Sequence, residues 1–260
     1  MRGAVGAFLA RLSLAGVRAA PAARALDRTN FRGRTVSLAG GPALAVSASA
    51  SAALGAGSAP LAGAALAAGL GAGAVGLYDD LVGGRPEHQA KGFRGHLSAL
   101  REGRVTSGLA KIVGVGAAGL AAAALLPGRR GVVNTLLGAG VIAGTANLVN
   151  LLDLRPGRAL KAGILLGAPL GGVAAGPVGA AAALLPADLN EEIMLGDAGA
   201  NALGALLGVA LAARTGPVGR AVLLAGLAGL TAASEKVSFT KVIESTPGLR
   251  ELDALGRRPR

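Results

Sequence analysis

Two adjacent carboxylates, Asp79 and Asp80, close a long run of Ala, Leu and Gly. Two further motifs, Asn147-Leu-Val-Asn150-Leu-Leu-Asp153 and Leu195-Gly196-Asp197-Ala-Gly199, close later apolar stretches in the same way. An Asp at a bilayer centre costs roughly 2.5–3.5 kcal/mol, so all three sites are expected at the water interface, not in the hydrocarbon. Carboxylates gathered there suit a hard divalent cation with oxygen ligands. The two histidines, His88 and His96, stand eight residues apart in a Gly/Arg-rich loop and form no recognisable ligand pattern. Glu191 and Glu192 precede the Asp197 motif and read equally as a polar helix approach or as site residues.

The elements that must position these carboxylates are membrane helices. Mean hydropathy is +0.56. Hydrophobic residues make up 52% of the 260-residue chain but aromatics only 2%, and 44 residues are Gly. A soluble core needs larger side chains, whereas helices in lipid associate through small residues that let backbones approach. The absence of Cys removes disulfides and thiolate metal sites. Apolar segments near 4–22, 36–56, 58–77, 109–127, 132–152, 161–176, 177–190, 198–213 and 218–234 are the spanning candidates. The reading is a single integral-membrane domain over 1–260, an all-α polytopic bundle of about nine or ten transmembrane helices.

The formal charge of +12 could suggest nucleic-acid binding, but its distribution favours membrane topology. With the Asp79 loop cytoplasmic, alternation puts 24–35, 78–108, 153–161, 187–197 and the tail from 235 on that side. Every acidic residue from Asp27 to Asp253 then falls on the cytoplasmic face, with most of the Lys and Arg. The outer side keeps only Arg2, Arg129, Arg130, Arg214 and Arg220. No nucleic-acid partner is expected. The N-terminal segment admits a second reading as a signal peptide. Arg11 and Arg18 interrupt its core, so a retained first helix is preferred, with the Arg18 stem snorkelling. Gly71-Ala-Gly73-Ala-Val-Gly76 formally matches the dinucleotide fingerprint, but it lies inside a spanning segment without the required strand, and close helix packing explains it.

Taken in order, the motifs resemble those of the polyprenyl-phosphate sugar-1-phosphate transferases, which include the phospho-N-acetylmuramoyl-pentapeptide and N-acetylglucosamine-1-phosphate transferases. The resemblance runs through Asn30-Phe-Arg32-Gly33 to Gly41, Gly76-Leu-Tyr-Asp79-Asp80, Lys91-Gly92, Thr106-Ser-Gly108-Leu-Ala-Lys111, Asn147 to Asp153, and Leu195-Gly196-Asp197-Ala-Gly199-Ala-Asn201. It implies transfer of a sugar-1-phosphate from a nucleotide-sugar to polyprenyl (undecaprenyl) phosphate for cell-envelope glycan synthesis. The enzyme would be Mg2+-dependent, in the cell membrane, with its site facing the cytoplasm.

The same resemblance implies that Asp79, Asp80, Asp153 and Asp197 form the catalytic set, with Asp197 a magnesium ligand and Asp80 assisting the metal. Lys111 and Lys91 would contact phosphate, and Asn147 and Asn150 would bind substrate. A homo-oligomer stays open. The chain departs from the family at three points. Residues 234–247 contain no His where relatives often carry a His-rich loop, the chain is short, and Pro156 stands where many relatives have a second Asp. A catalytically degenerate relative that binds lipid phosphate or acts as a scaffold, and a transporter or channel, are the alternatives.

Overall fold

The computed structural model describes residues 1–30, 32–83, 85, 103, 106–128 and 131–258. Among them the chain forms eleven α-helices and one β-hairpin. Helix α1 (Arg2–Ala19) leads through a 3-10 turn into strands β1 (Asp27–Thr29) and β2 (Thr35–Ser37). Then follow α2 (Gly40–Leu54), α3 (Ala59–Val82), α4 (Ser107–Leu125), α5 (Val132–Leu152), α6 (Arg158–Gly167), α7 (Ala175–Leu189), α8 (Gly196–Arg214) and α9 (Pro217–Ser234). Short α10 (Phe239–Ser245) and α11 (Leu249–Ala254) end the chain. The protein is an all-α polytopic helix bundle.

Six helical segments are long and apolar enough to cross a membrane: α3, α4, α5, Gly172–Leu189 containing α7, α8 and α9. The expectation of nine or ten spans therefore divides. Helix α1 carries Arg2, Arg11 and Arg18, and α2 has 15 residues. The segment expected to span 161–176 is not a single helix of spanning length. Its α6 has 10 residues, about 15 Å of rise, half the hydrocarbon thickness. Two 3-10 turns follow, Ala168–Leu170 and Gly172–Ala174, and the chain passes from one to the other through Gly171 and Gly172, whose φ values are +55° and +51°.

Helix α8 is the axis of the bundle, buried from Ala198 through Ala210. It packs on α3, α5 and α2 through glycines. A Cβ at Gly204 would lie 2.6 Å from the Ala146 Cα, and one at Gly208 2.6 Å from the Ile142 Cα, so α5 and α8 meet backbone to backbone. On α3, the false fingerprint serves the same purpose: Gly73 faces Ala45 and Ala202, and Gly76 abuts the Asp197 carbonyl. Helix α1 joins through Gly3 and Gly6 against Gly179 and Gly176 of α7. In lipid, where burial adds little between helices, such close contact supplies dispersion and geometric definition.

The chain reversals put the C-termini of α3, α5 and α7 at one end of the bundle with the N-termini of α4 and α8. The hairpin, the 153–157 turn and the C-terminal tail cover that end. Hairpin register is Asp27 to Ser37 and Thr29 to Thr35, and Ser37 continues into a bridge with Ile193. Asn30 forms the reversal by accepting the N–H of Arg32 and of Arg34 with one oxygen, and Gly33 adopts φ +75°.

Candidate active site

Thr106 caps α4, its Oγ1 accepting the Leu109 N–H at 3.2 Å, and this fixes where Lys111 emerges at the charged end. The Lys111 ammonium lies 2.9 Å from Asp79 Oδ2 and 2.5 Å from Asp197 Oδ2. Asp79, in the last turn of α3, has the Ser107 side chain and the Asp197 carboxyl as near neighbours. Two carboxylates from helices more than a hundred residues apart in sequence thus converge on one cationic position.

Asp80 has a different task. Its Oδ1 accepts the Asp197 N–H and its Oδ2 the Ala198 N–H, each at 2.9 Å, so the carboxylate satisfies the exposed donors that open α8. Gly196 makes this possible. Its φ is +58°, and an added Cβ would sit 2.7 and 2.8 Å from the two Asp80 oxygens. Arg28 on β1 donates to the Asp80 carbonyl at 2.8 Å and ties the hairpin to the end of α3.

Asp153 follows the last residue of α5 and lies beside Gly196 at the start of α8. Burial, with the neighbouring Asp188, Asp197 and Asp80 carboxylates, pushes its carboxyl well above the ordinary range. It lines a cavity of about 260 Å³ beneath the hairpin, together with Asn30, Pro156, Asp188 and Glu191. Sequence reasoning passed over Asp188. It lies only two residues beyond Pro186 at the end of an apolar run, is 3% exposed, and accepts the Gly157 N–H at 2.7 Å. Glu191, left open between site and approach, is buried with φ +57°, the one positive φ among described non-glycine residues. Its carboxylate accepts from Asn30 Nδ2 at 2.7 Å and pairs with Arg32 at 3.1 Å.

Lys111 also reaches a second cavity, a groove of about 500 Å³. Helices α4 and α9 both pack on α5, which floors the groove between them. Ile112, Val115 and Leu151 give it apolar walls, and Asn147, Asn150 and Asn201 interrupt them. Asn147 donates to Thr231 Oγ1 at 3.0 Å and so links α5 to α9. The structure therefore gathers Asp79, Asp80, Lys111 and Asp197 in one cluster, sets Asp153 against its other side, and puts Asn147 and Asn150 in the groove. Lys91, His88 and His96 lie outside the described residues.

The donor set fits a magnesium ion in one arrangement. Asp79 and Asp197 already share a cation, the Lys111 ammonium, and magnesium commonly takes one or two carboxylates and leaves its other positions to water and phosphate. The resemblance pairs Asp80 with Asp197 at the metal, whereas the geometry pairs Asp79 with Asp197 and occupies both Asp80 oxygens with α8. Among the described residues no group of three or more His, Cys, Asp or Glu side chains is arranged as a metal site. Compared with known proteins, the sequence matches no family model and no curated protein.

Proposed function

We propose that the protein transfers a sugar-1-phosphate from a nucleotide-sugar to a polyprenyl phosphate at the cytoplasmic face of the cell membrane. The observation that carries this reading is Lys111. Its ammonium is held by Asp79 and Asp197 and lines a largely apolar groove, which supports a reading in which a cation meets a phosphate whose lipid chain lies in the groove.

In this reading a phosphate oxygen of the carrier bonds to the sugar-bearing phosphorus of the donor. The pyrophosphate bond breaks, and a nucleoside monophosphate leaves with the electron pair. Both reactants are anions, so positioning and charge stabilisation supply most of the acceleration. Asp79 and Asp197 would hold the magnesium ion, which when bound neutralises phosphate charge. Lys111 orients the carrier phosphate, and Asp80 keeps Asp197 in place through the start of α8. The cavity bounded by Asp153, Asp188 and Glu191 is rich in acceptors and suits the hydroxyl and amide donors of the nucleotide-sugar better than its phosphates.

The test uses purified protein, undecaprenyl phosphate, magnesium and a panel of labelled nucleotide-sugars. Label in butanol-extractable lipid, lost with a chelator and in Asp197→Asn, is the expected result. Full turnover by Asp197→Asn sinks the assignment. A second reading, a catalytically silent lipid-phosphate binder, draws on the same Lys111, whose ammonium is already engaged by both carboxylates. Carrier binding without product from any donor favours it.

A further inference from the structure

Asn201 lies on α8 one helical turn beyond Asp197, on the same face, and its side chain lines the groove. It is 3% exposed, and its Nδ2 has no hydrogen-bond partner among the described residues. An amide donor buried without an acceptor is costly, and native structures retain few of them. Around it α8 is otherwise Ala, Leu, Gly and Val, so nothing in the packing calls for a polar side chain at this depth.

We infer that the Asn201 amide is a specificity-determining donor for the phosphorylated head of a lipid lodged in the groove. This rests on the function proposed above. A hydrocarbon chain alone would leave Nδ2 unsatisfied, whereas a phosphate oxygen reaching past Lys111 satisfies it. Charge recognition by Lys111 and donor recognition by Asn201 together then favour a phosphorylated polyprenyl chain over the same chain ending in a hydroxyl.

The test measures binding of polyprenyl phosphate, polyprenol and inorganic phosphate to detergent-purified parent protein, Asn201→Leu and Asn201→Asp, with thermal melting of each as the folding control. Asn201→Leu is expected to melt at or above the parent temperature. It should bind polyprenyl phosphate about ten- to a hundredfold more weakly, the loss of one charge-assisted hydrogen bond, with polyprenol binding unchanged. Asn201→Asp keeps the shape but removes the donor and should lose at least as much. Equal polyprenyl phosphate binding by folded Asn201→Leu and parent overturns the inference and leaves the transferase reading intact. Equal losses for both lipids overturn it as well, because they indicate a purely structural role. If inorganic phosphate displaces nothing at millimolar concentration, the lipid is the ligand. If it binds alone with the same sensitivity to Asn201→Leu, the site serves free phosphate and the lipid assignment falls. A parent protein that binds no phosphorylated lipid removes the proposed function together with this inference.

Discussion

Asp80 and Asp197 are joined through the main chain: the Asp80 carboxylate holds the N–H of Asp197 itself and that of Ala198, one per oxygen. An acidic residue at the end of one helix thereby sets where the helix bearing Asp197 begins, and stability and the geometry of the carboxylate cluster are coupled at one contact. Asp80→Ala should lower stability by about 1–2 kcal/mol, the usual cost of a lost N-terminal cap, and should also lower carrier-phosphate affinity. Asp197→Asn leaves the cap in place and should melt close to the parent while losing function. Thermal melts beside lipid binding check the pair. An Asp80→Ala protein as stable as the parent would show that α8 does not depend on this carboxylate.

Gly196 is the second half of that joint. A Cβ there must accept both φ +58° and collision with the Asp80 oxygens and Leu38, whereas Gly33 has φ +75° with open space around it. Gly33→Ala should therefore cost only about 1–2 kcal/mol of conformational strain. Gly196→Ala should cost more and displace Asp197, so that lipid-phosphate binding falls in this variant alone. Equal effects of the two substitutions on binding would remove the crowding argument.

The helices around this joint were largely legible in the chain because small-residue apolar runs of spanning length have few other fates. The 132–152 segment coincides with α5, and 198–213 and 218–234 fall within α8 and α9. The acidic motifs also announced their common end, since each borders a span. What escaped depends on contacts distant in sequence or on very short elements. The segment 161–176 reads as apolar throughout, yet Pro169 and the Gly171-Gly172 pair break it. Strands of three residues carry too little alternation to be seen, and the second, Thr35–Ser37, runs into the apolar stretch read as a span from 36. Asp188 sits inside an apolar stretch, and only its partner Gly157 on a neighbouring turn reveals its place. The division of labour between Asp79 and Asp80 is equally invisible in the sequence. Adjacent residues on a helix point in different directions, and only the packed α8 decides which of them caps it and which faces Lys111.

The far end of the bundle offers a test that separates folding from function. Arg220 is 5% exposed and donates to the Ala212 carbonyl with Nε at 3.0 Å and with Nη2 at 2.7 Å, and to the Asn134 carbonyl with Nη1 at 3.1 Å. It binds the start of α9 to the end of α8 and the start of α5. Arg220→Met keeps much of the side-chain volume and removes these bonds, so stability should fall by about 2–3 kcal/mol. Lipid-phosphate affinity of the folded fraction should not change. A change in affinity without loss of stability would contradict the structural role given to Arg220.

The C-terminal tail closes the site end through a pH-sensitive latch. Asp253, 8% exposed, accepts from Arg158 Nε at 2.8 Å and Nη2 at 2.9 Å, and from Arg257 at 2.5 Å. Arg257 also donates to the Pro156 carbonyl, and Lys161 to three carbonyls at the end of α11. Burial alone would raise the Asp253 carboxyl, but the hydrogen bonds from Arg158 and Arg257 and their charges outweigh it and hold the group below its ordinary value. A depressed carboxylate contributes its full stabilisation above the unfolded value of about 3.9 and loses it as pH falls through the lower folded value. Hydrogen exchange across 239–258 should therefore be flat from pH 7 to about 5, after correction for the intrinsic rate, and should rise below about pH 4. Asp253→Asn leaves the buried Arg158 without its counter-charge, a loss of about 3–5 kcal/mol, and should expose the tail to exchange and proteolysis already at pH 7. If the tail of Asp253→Asn stays as protected as the parent's, the apolar contacts of Ile243, Leu249 and Leu252, and not the ion pair, hold it in place.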